Sequence, residues 1–190
     1  NISNILRRRK ILSNIVVQDN FLPYTDFKVL QNKIISSHFP WYLTAVIGPD
    51  SGPNVIPDLF FKTENYNLVH TVYGQNRIYS DLYHEFTPLF DAMNLFSIFR
   101  LKINLNPRKD KQVVQGFHVD VPNAPKDNLT SIFYMNTNNG YTAFEDGTKT
   151  KSVENRLVTF PTSTRHATAI NNCDALYRCV VNINWFRHEN

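Results

Sequence analysis

From Phe96 onward, short β-prone runs alternate with turn signals, and this pattern constrains the fold more than any other feature of the sequence. The runs are Ser97–Leu105, Gln112–Asp120, Leu129–Asn136, Thr142–Glu145, Arg156–Phe160, Arg165–Ile170 and Tyr177–Phe186. Between them stand Asn106-Pro107, Pro122-Asn123, Asn138-Asn139-Gly140, Asp146-Gly147 and Asn171-Asn172, residue types that favour turns by their backbone geometry and local hydrogen bonding. The first half of the chain is mixed. Ile15–Val17, Trp41–Ile47 and Tyr66–Tyr73 read as strands. Phe27, Leu30 and Ile34 recur at spacings of three and four, which predicts a helix after Pro23. Ile78, Leu82 and Phe86 continue at helical spacing until Pro88, and Thr87-Pro88 reads as a new N-cap followed by proline in the first turn. Helices followed by a series of short strands predict a mainly β protein with α elements (α+β), an antiparallel sandwich or jelly roll with helices packed on one sheet.

Length and composition agree with one globular domain. The 190 residues can close a substantial core, and 42% apolar with 19% charged residues excludes a disordered chain. We expect a single domain over 1–190, with 1–95 as strand and helix support and 96–186 as the core. No apolar run approaches the ~20 residues that span a bilayer, so no membrane partner is expected, and no signal-peptide pattern is visible in a chain that begins with Asn1. Two cysteines, Cys173 and Cys179, make no disulfide framework, and a reduced, cytoplasmic setting is the expectation. The net charge of +4 is mild, and the run Arg7-Arg8-Arg9-Lys10 fits either contact with nucleic acid or an acidic partner, or a solvated arm.

Within the strand series, Gly116-Phe117-His118-Val119-Asp120 places an imidazole and a carboxylate two residues apart. On a strand they point to one face and supply two of the three groups of a 2-His-1-carboxylate metal site. Such a pair also occurs on ordinary surface strands. His166, well downstream in Arg165-His166-Ala167-Thr168-Ala169, is a candidate third ligand. In Tyr177–Trp185 one face carries Tyr177, Cys179, Val181, Ile183 and Trp185, and the other carries Arg178, Val180, Asn182 and Asn184. Periodicity leaves Arg178 equally compatible with solvent and with bidentate binding of a carboxylate. Tyr134 fits a core tyrosine with a bonded hydroxyl.

Taken together, Phe117-His118-Val119-Asp120, Leu129–Asn136, Gly140–Gly147, Asn155–Pro161, His166 and Arg178 resemble, in order and spacing, the catalytic double-stranded β-helix (cupin-like) of prolyl-4-hydroxylase-type Fe(II)/2-oxoglutarate dioxygenases. The resemblance covers most of the chain and is strongest from Phe96 to Trp185. It implies His118, Asp120 and His166 as iron ligands, and Arg178 and Tyr134, with Asn182 beside them, as the 2-oxoglutarate site. It implies Fe(II), 2-oxoglutarate and O2 as cofactor and co-substrates, and hydroxylation of a substrate C–H bond with succinate and CO2 as co-products. A carboxylate at Asp120 leaves no vacant ligand position for halide, which disfavours halogenation. The family points to a peptidyl prolyl or other residue as substrate, with small molecules and nucleic acid as alternatives. There are departures: Gly140-Tyr141 stands where the family often has Gly-Gly, the Asn171–Asp174 turn is longer, and the family's tyrosine upstream of His-x-Asp has no clear match. Lys102 or Asn104 can stand in for it, since Arg100, Lys102 and Asn104 share a strand face. Candidate substrate residues are Trp41, Tyr42, His70 and Asn104, with the Gly48–Asp58 and Pro122–Asn128 loops as walls. Two rival functions stand beside this one: a nucleobase-oxidising dioxygenase of the same chemistry, and a non-enzymatic metal-binding jelly-roll module.

Overall fold

The computed structural model describes residues 9–12, 14–45 and 66–187. The Gly48–Asp58 loop and Arg7 and Arg8 of the basic run lie outside the described residues. Arg9 and Lys10 lie in β1 (Arg9–Leu12), which pairs with β2 (Ile15–Gln18).

Two sheets face each other and helices cover the outer face of the larger one. The large sheet runs β1, β2, β10 (Arg156–Pro161), β7 (Asn128–Tyr134), β12 (Tyr177–Arg187), β6 (Leu95–Pro107), β4 (Tyr66–Gly74) and β3 (Tyr42–Ala45), with β5 (Arg77–Ile78) paired to β4. The small sheet is β11 (His166–Ala169), β8 (Tyr141–Phe144) and β9 (Lys149–Lys151). All described pairings are antiparallel. This is the expected jelly roll. Its N-terminal part supplies strands at both edges of the large sheet.

The helices form where their apolar stripes predict. Helix α1 (Tyr24–Ile34) buries Phe27, Leu30 and Ile34, with Asp26 in its first turn and Lys33 in its last, each complementing the helix dipole. The second predicted helical region divides in two. Ser80 accepts from the Leu82 amide and opens a 3-10 helix, Asp81–Phe86. Helix α2 (Thr87–Met93) follows, and Pro88 sits in its first turn, where its missing N–H is not needed. Together with Phe21, these helices pack on Leu101, Ile103, Phe133, Cys179, Val181 and Ile183 of the large sheet. Phe27 meets Phe133 edge-on at 5.8 Å between centroids. A second cluster between the two sheets holds Ile15, Ile132, Tyr134, Phe144, Val158, Phe160 and Val180.

One expected strand is not regular. Residues 112–120 bridge β11 only at Val114↔Ala169 and His118↔His166. The register shifts by one residue between these bridges, so the segment bulges around Gly116 before His118 pairs again. Strands β1, β5 and β9 were not predicted: β5 and β9 are two and three residues long, and β1 begins in the basic run. Both cysteines are free thiols. Among the described residues no helix is long and apolar enough to cross a membrane.

Candidate metal centre

His118, Asp120 and His166 converge although 46 residues separate Asp120 from His166 in sequence, and their ligand atoms lie within 4.8 Å of one another. The convergence is backbone-driven: the His118 amide donates to the His166 carbonyl at 2.9 Å and the His166 amide to the His118 carbonyl at 3.0 Å. The tautomers are set the same way in both rings. His118 Nδ1 lies 3.1 Å from the Gly116 carbonyl oxygen and His166 Nδ1 lies 3.1 Å from that of Thr164. A carbonyl only accepts, so Nδ1 carries the hydrogen and each Nε2 presents its lone pair, as outer-shell contacts of metal-bound histidines do. The Nε2 atoms of His118 and His166 are 3.9 and 3.7 Å from the two carboxylate oxygens of Asp120. Two imidazole nitrogens and one carboxylate are the donor set of a facial triad.

Asp120 is held from the large sheet. Asn182 Nδ2 donates to Oδ2 at 2.9 Å, Asn184 Nδ2 lies 3.4 Å from the same oxygen, and the Arg100 guanidinium is 3.2 Å from Oδ1. Burial would raise this carboxyl's pKa, but His166, Arg100 and the Asn182 amide outweigh it and hold it below the ordinary value. Burial lowers the pKa of His166, against the upward pull of Asp120. Both groups therefore stand in the forms a metal takes, neutral imidazole and carboxylate.

These shifts predict acid sensitivity. The unfolded chain protonates histidine near ~6.5, whereas folded His166 protonates only at lower pH. The stability it contributes is present above ~6.5 and is lost as pH falls toward the folded value, by up to about 1.4 kcal/mol per pH unit. Asp120 acts in the same direction at lower pH, since its folded pKa also lies below the unfolded one. Denaturant midpoints of metal-free protein should fall from pH 7 to pH 5; a flat profile would contradict the assigned protonation states.

The triad opens into a cavity of about 260 Å³ between the sheets. Its far end carries Arg178, 1% exposed. Nε donates to Ser152 Oγ and Nη2 to Thr142 Oγ1, each at 3.1 Å, and the guanidinium lies 5.5 Å from the centre of the Tyr134 ring. Among the described residues no carboxylate pairs with it. Gly140 makes room for its stem: a Cβ there would stand 2.9 Å from Arg178 Cδ and 2.6 Å from the Ala169 carbonyl. That close approach accounts for the glycine before Tyr141.

The remaining predicted residues separate clearly. Tyr134 lies against Arg178, but its hydroxyl bonds Thr142 Oγ1 at 2.7 Å and the residue is wholly buried behind the cavity. Asn182 lines the cavity and is engaged with Asp120. Asn104 lines it too, with its Oδ1 buried and unpartnered. His70 is on the opposite, helix-covered face: it pairs in register with Ile103 of the core, its Nδ1 meets the Pro40 carbonyl at 2.9 Å, and Phe39 packs on its ring. Trp41 packs against that same core, and Tyr42 is 63% exposed and does not line the cavity. Sequence reasoning missed Thr142, Ser152, Asn184 and Gln115 as parts of the site. Alternation on β6 put Arg100 and Lys102 on the face of Asn104, and all three line the cavity. Burial and the Arg100 guanidinium lower the pKa of Lys102, against Asp120.

No protein-family model and no curated protein sequence matches the chain. Solved structures do. A prolyl hydroxylase from Trichoplax adhaerens, in complex with a hypoxia inducible factor oxygen degradation domain peptide fragment, superposes with a TM-score of 0.59 at 12% identity, over 91% of this chain and 83% of that one. A 2OG-Fe(II) oxygenase family oxidoreductase from Burkholderia pseudomallei gives 0.58 at 14% identity, over 93% and 87%. The fold is that of the 2OG-Fe(II) oxygenases. The oxygenase fold also appears in the non-heme alpha ketoglutarate dependent epimerase SnoN from nogalamycin biosynthesis, with a TM-score of 0.59 at 12% identity, over 92% and 78%. Different reactions thus share this architecture, and the chemistry of the present chain has to be argued from its own side chains.

Proposed function

We propose that the protein is an Fe(II)- and 2-oxoglutarate-dependent dioxygenase that hydroxylates a C–H bond of its substrate, with His118, Asp120 and His166 as metal ligands and Arg178 as the anchor of the co-substrate's distal carboxylate. The observation that carries the reading is Arg178. A fully buried guanidinium without a carboxylate partner is costly to maintain, and this one ends a cavity whose other end is a histidine–carboxylate–histidine cluster. A dicarboxylate that reaches from a metal to the guanidinium would compensate the charge. A purely structural metal site would leave Arg178 unexplained, which argues against the binding-module alternative.

When bound, iron with 2-oxoglutarate and dioxygen supplies the oxidation, yielding succinate and CO2 and placing one oxygen atom in the substrate C–H bond. The chain's own residues prepare for this. The carbonyls of Gly116 and Thr164 fix the two imidazole orientations. Asn182 and Arg100 hold the Asp120 carboxylate toward the histidines. Ser152, Thr142 and, through Thr142, Tyr134 hold the guanidinium at the cavity, and Ile132 and Val180 are the apolar residues of an otherwise polar lining. The resemblance points to a peptidyl residue as substrate, and one structural neighbour is a complex with a peptide.

Anaerobic addition of Fe(II) and then 2-oxoglutarate should produce the weak visible charge-transfer band of a chelated complex. It should vanish in His118→Ala and His166→Ala and weaken in Arg178→Ala. Iron-loaded, folded protein without the band would sink the co-substrate assignment.

A further inference from the structure

An iron ion and 2-oxoglutarate in the cavity leave part of its charge unused. Among the described residues, Arg100, Lys102 and Arg178 line the cavity with one carboxylate, Asp120. A divalent metal and a dicarboxylate cancel one another, so a positive excess remains between the sheets. Uncompensated charge in such a place favours a further anion.

Strand register says where that anion sits. On the cavity face, β12 pairs with β6 as Arg178↔Asn106, Val180↔Asn104 and Asn182↔Lys102. Lys102 therefore lies level with Asn182, which holds Asp120, while Arg178 lies four residues further along, ~13 Å at ~3.3 Å per residue. A co-substrate that stretches from the metal to Arg178 uses the far cation and leaves Lys102 at the metal end. Among the described residues the Lys102 ammonium has no hydrogen-bond or ion-pair partner. Next along the strand, Asn104 Oδ1 is buried without a partner in the same cavity, as is Asn182 Oδ1. Arg100 is already engaged by Asp120 and Asn184, so Lys102 is the cation at the metal end that is left to bind a ligand. The cavity, about 260 Å³, lies below the ~300–1,000 Å³ usual for ligand sites, so the part of the second occupant that enters it beside the co-substrate is small.

Building on the iron and 2-oxoglutarate reading of the cavity, we propose that the primary substrate is a small carboxylic acid whose carboxylate seats on the Lys102 ammonium, with Asn104 bonding a donor group next to it. This departs from the uncharged prolyl side chain that the family resemblance implies.

The test uses the full chain loaded with Mn(II) and saturated with 2-oxoglutarate, and needs no turnover. Water-proton relaxation reports metal loading and its change on adding 2-oxoglutarate. The probes are acetate, uncharged acetamide and inorganic phosphate, followed by paramagnetic relaxation of the methyl protons or of phosphorus. Acetate should be relaxed strongly and acetamide weakly. Lys102→Met should reduce the acetate effect by about tenfold or more, the loss of one charge-assisted hydrogen bond, with 2-oxoglutarate affinity within about threefold of wild type on the same scale. Lys102→Arg, which keeps the charge, should retain the effect and controls for folding. Equal relaxation by acetate and acetamide, or an acetate effect untouched in Lys102→Met, overturns the proposal. Phosphate outcompeting acetate overturns the carboxylate assignment, and loss of 2-oxoglutarate binding in Lys102→Met would make Lys102 the co-substrate's anchor instead. Failure of Mn(II) or 2-oxoglutarate to load in the wild type is separately visible in the water signal; it refutes the underlying reading, and the proposal falls with it.

Discussion

Arg178→Met should weaken 2-oxoglutarate binding by roughly 30- to 3,000-fold while leaving the ligand-free protein no less stable than wild type. The first half follows from losing one partner of a buried charge pair, about 2–5 kcal/mol, at ~1.4 kcal/mol per tenfold. The second half follows from the same burial. In the ligand-free protein the guanidinium has two hydroxyl contacts and no carboxylate among the described residues, so its desolvation is poorly compensated. Methionine fills much of the same volume without that penalty, and replacing buried charge by apolar volume is often neutral or stabilising. The loss of the two hydrogen bonds, to Ser152 and Thr142, at about 1 kcal/mol each, works against this and offsets it without exceeding it. Charge-transfer titrations give the affinity, and denaturant unfolding of ligand-free protein gives the stability. Unchanged affinity would remove Arg178 from the site. A large loss of ligand-free stability would make it a structural residue.

Asp120→Ala should abolish metal binding and 2-oxoglutarate turnover at concentrations that saturate the wild type. Outer-shell changes at metal sites typically cost about 10–100-fold in affinity, and removal of the anionic ligand itself should exceed that range. Asn182→Ala supplies the internal scale. It removes the 2.9 Å donor to Asp120 Oδ2 while Arg100 still holds Oδ1, so its effect should fall within about 10–100-fold. Equilibrium dialysis with Fe(II) or Mn(II) orders the three proteins as wild type, Asn182→Ala, Asp120→Ala. Full 2-oxoglutarate turnover in Asp120→Ala would make the ligand assignment wrong.

Much of this site was legible in the sequence because its chemistry is carried by strands, where side-chain direction repeats every two residues. The alternation from Tyr177 to Trp185 separated the face that now packs under the helices from the face that lines the cavity. The spacing of Phe27, Leu30 and Ile34 predicted a helix and the stripe it buries. His118 and Asp120, two apart, were candidates for one site before any partner was known.

Alternation assigns residues to faces but does not say what each face meets. Arg178 was equally compatible with solvent and with a ligand until the small sheet closed over it and left it 1% exposed. His70, in its own strand, fits either a pocket residue or a structural histidine, and pairing with Ile103 puts it under the helices. The bulge in 112–118 depends on hydrogen bonds to β11, some fifty residues downstream, and no local signal predicts it. Thr142 and Ser152 became supports of the guanidinium only when β8 and β9 paired and brought them to β12. By itself the sequence determined which residues share a strand face or a helix stripe, because those periods are properties of the local backbone. Which face became the cavity, and which cation ended up buried there, was decided by pairing between distant strands, because register and sheet closure are long-range properties of the whole chain.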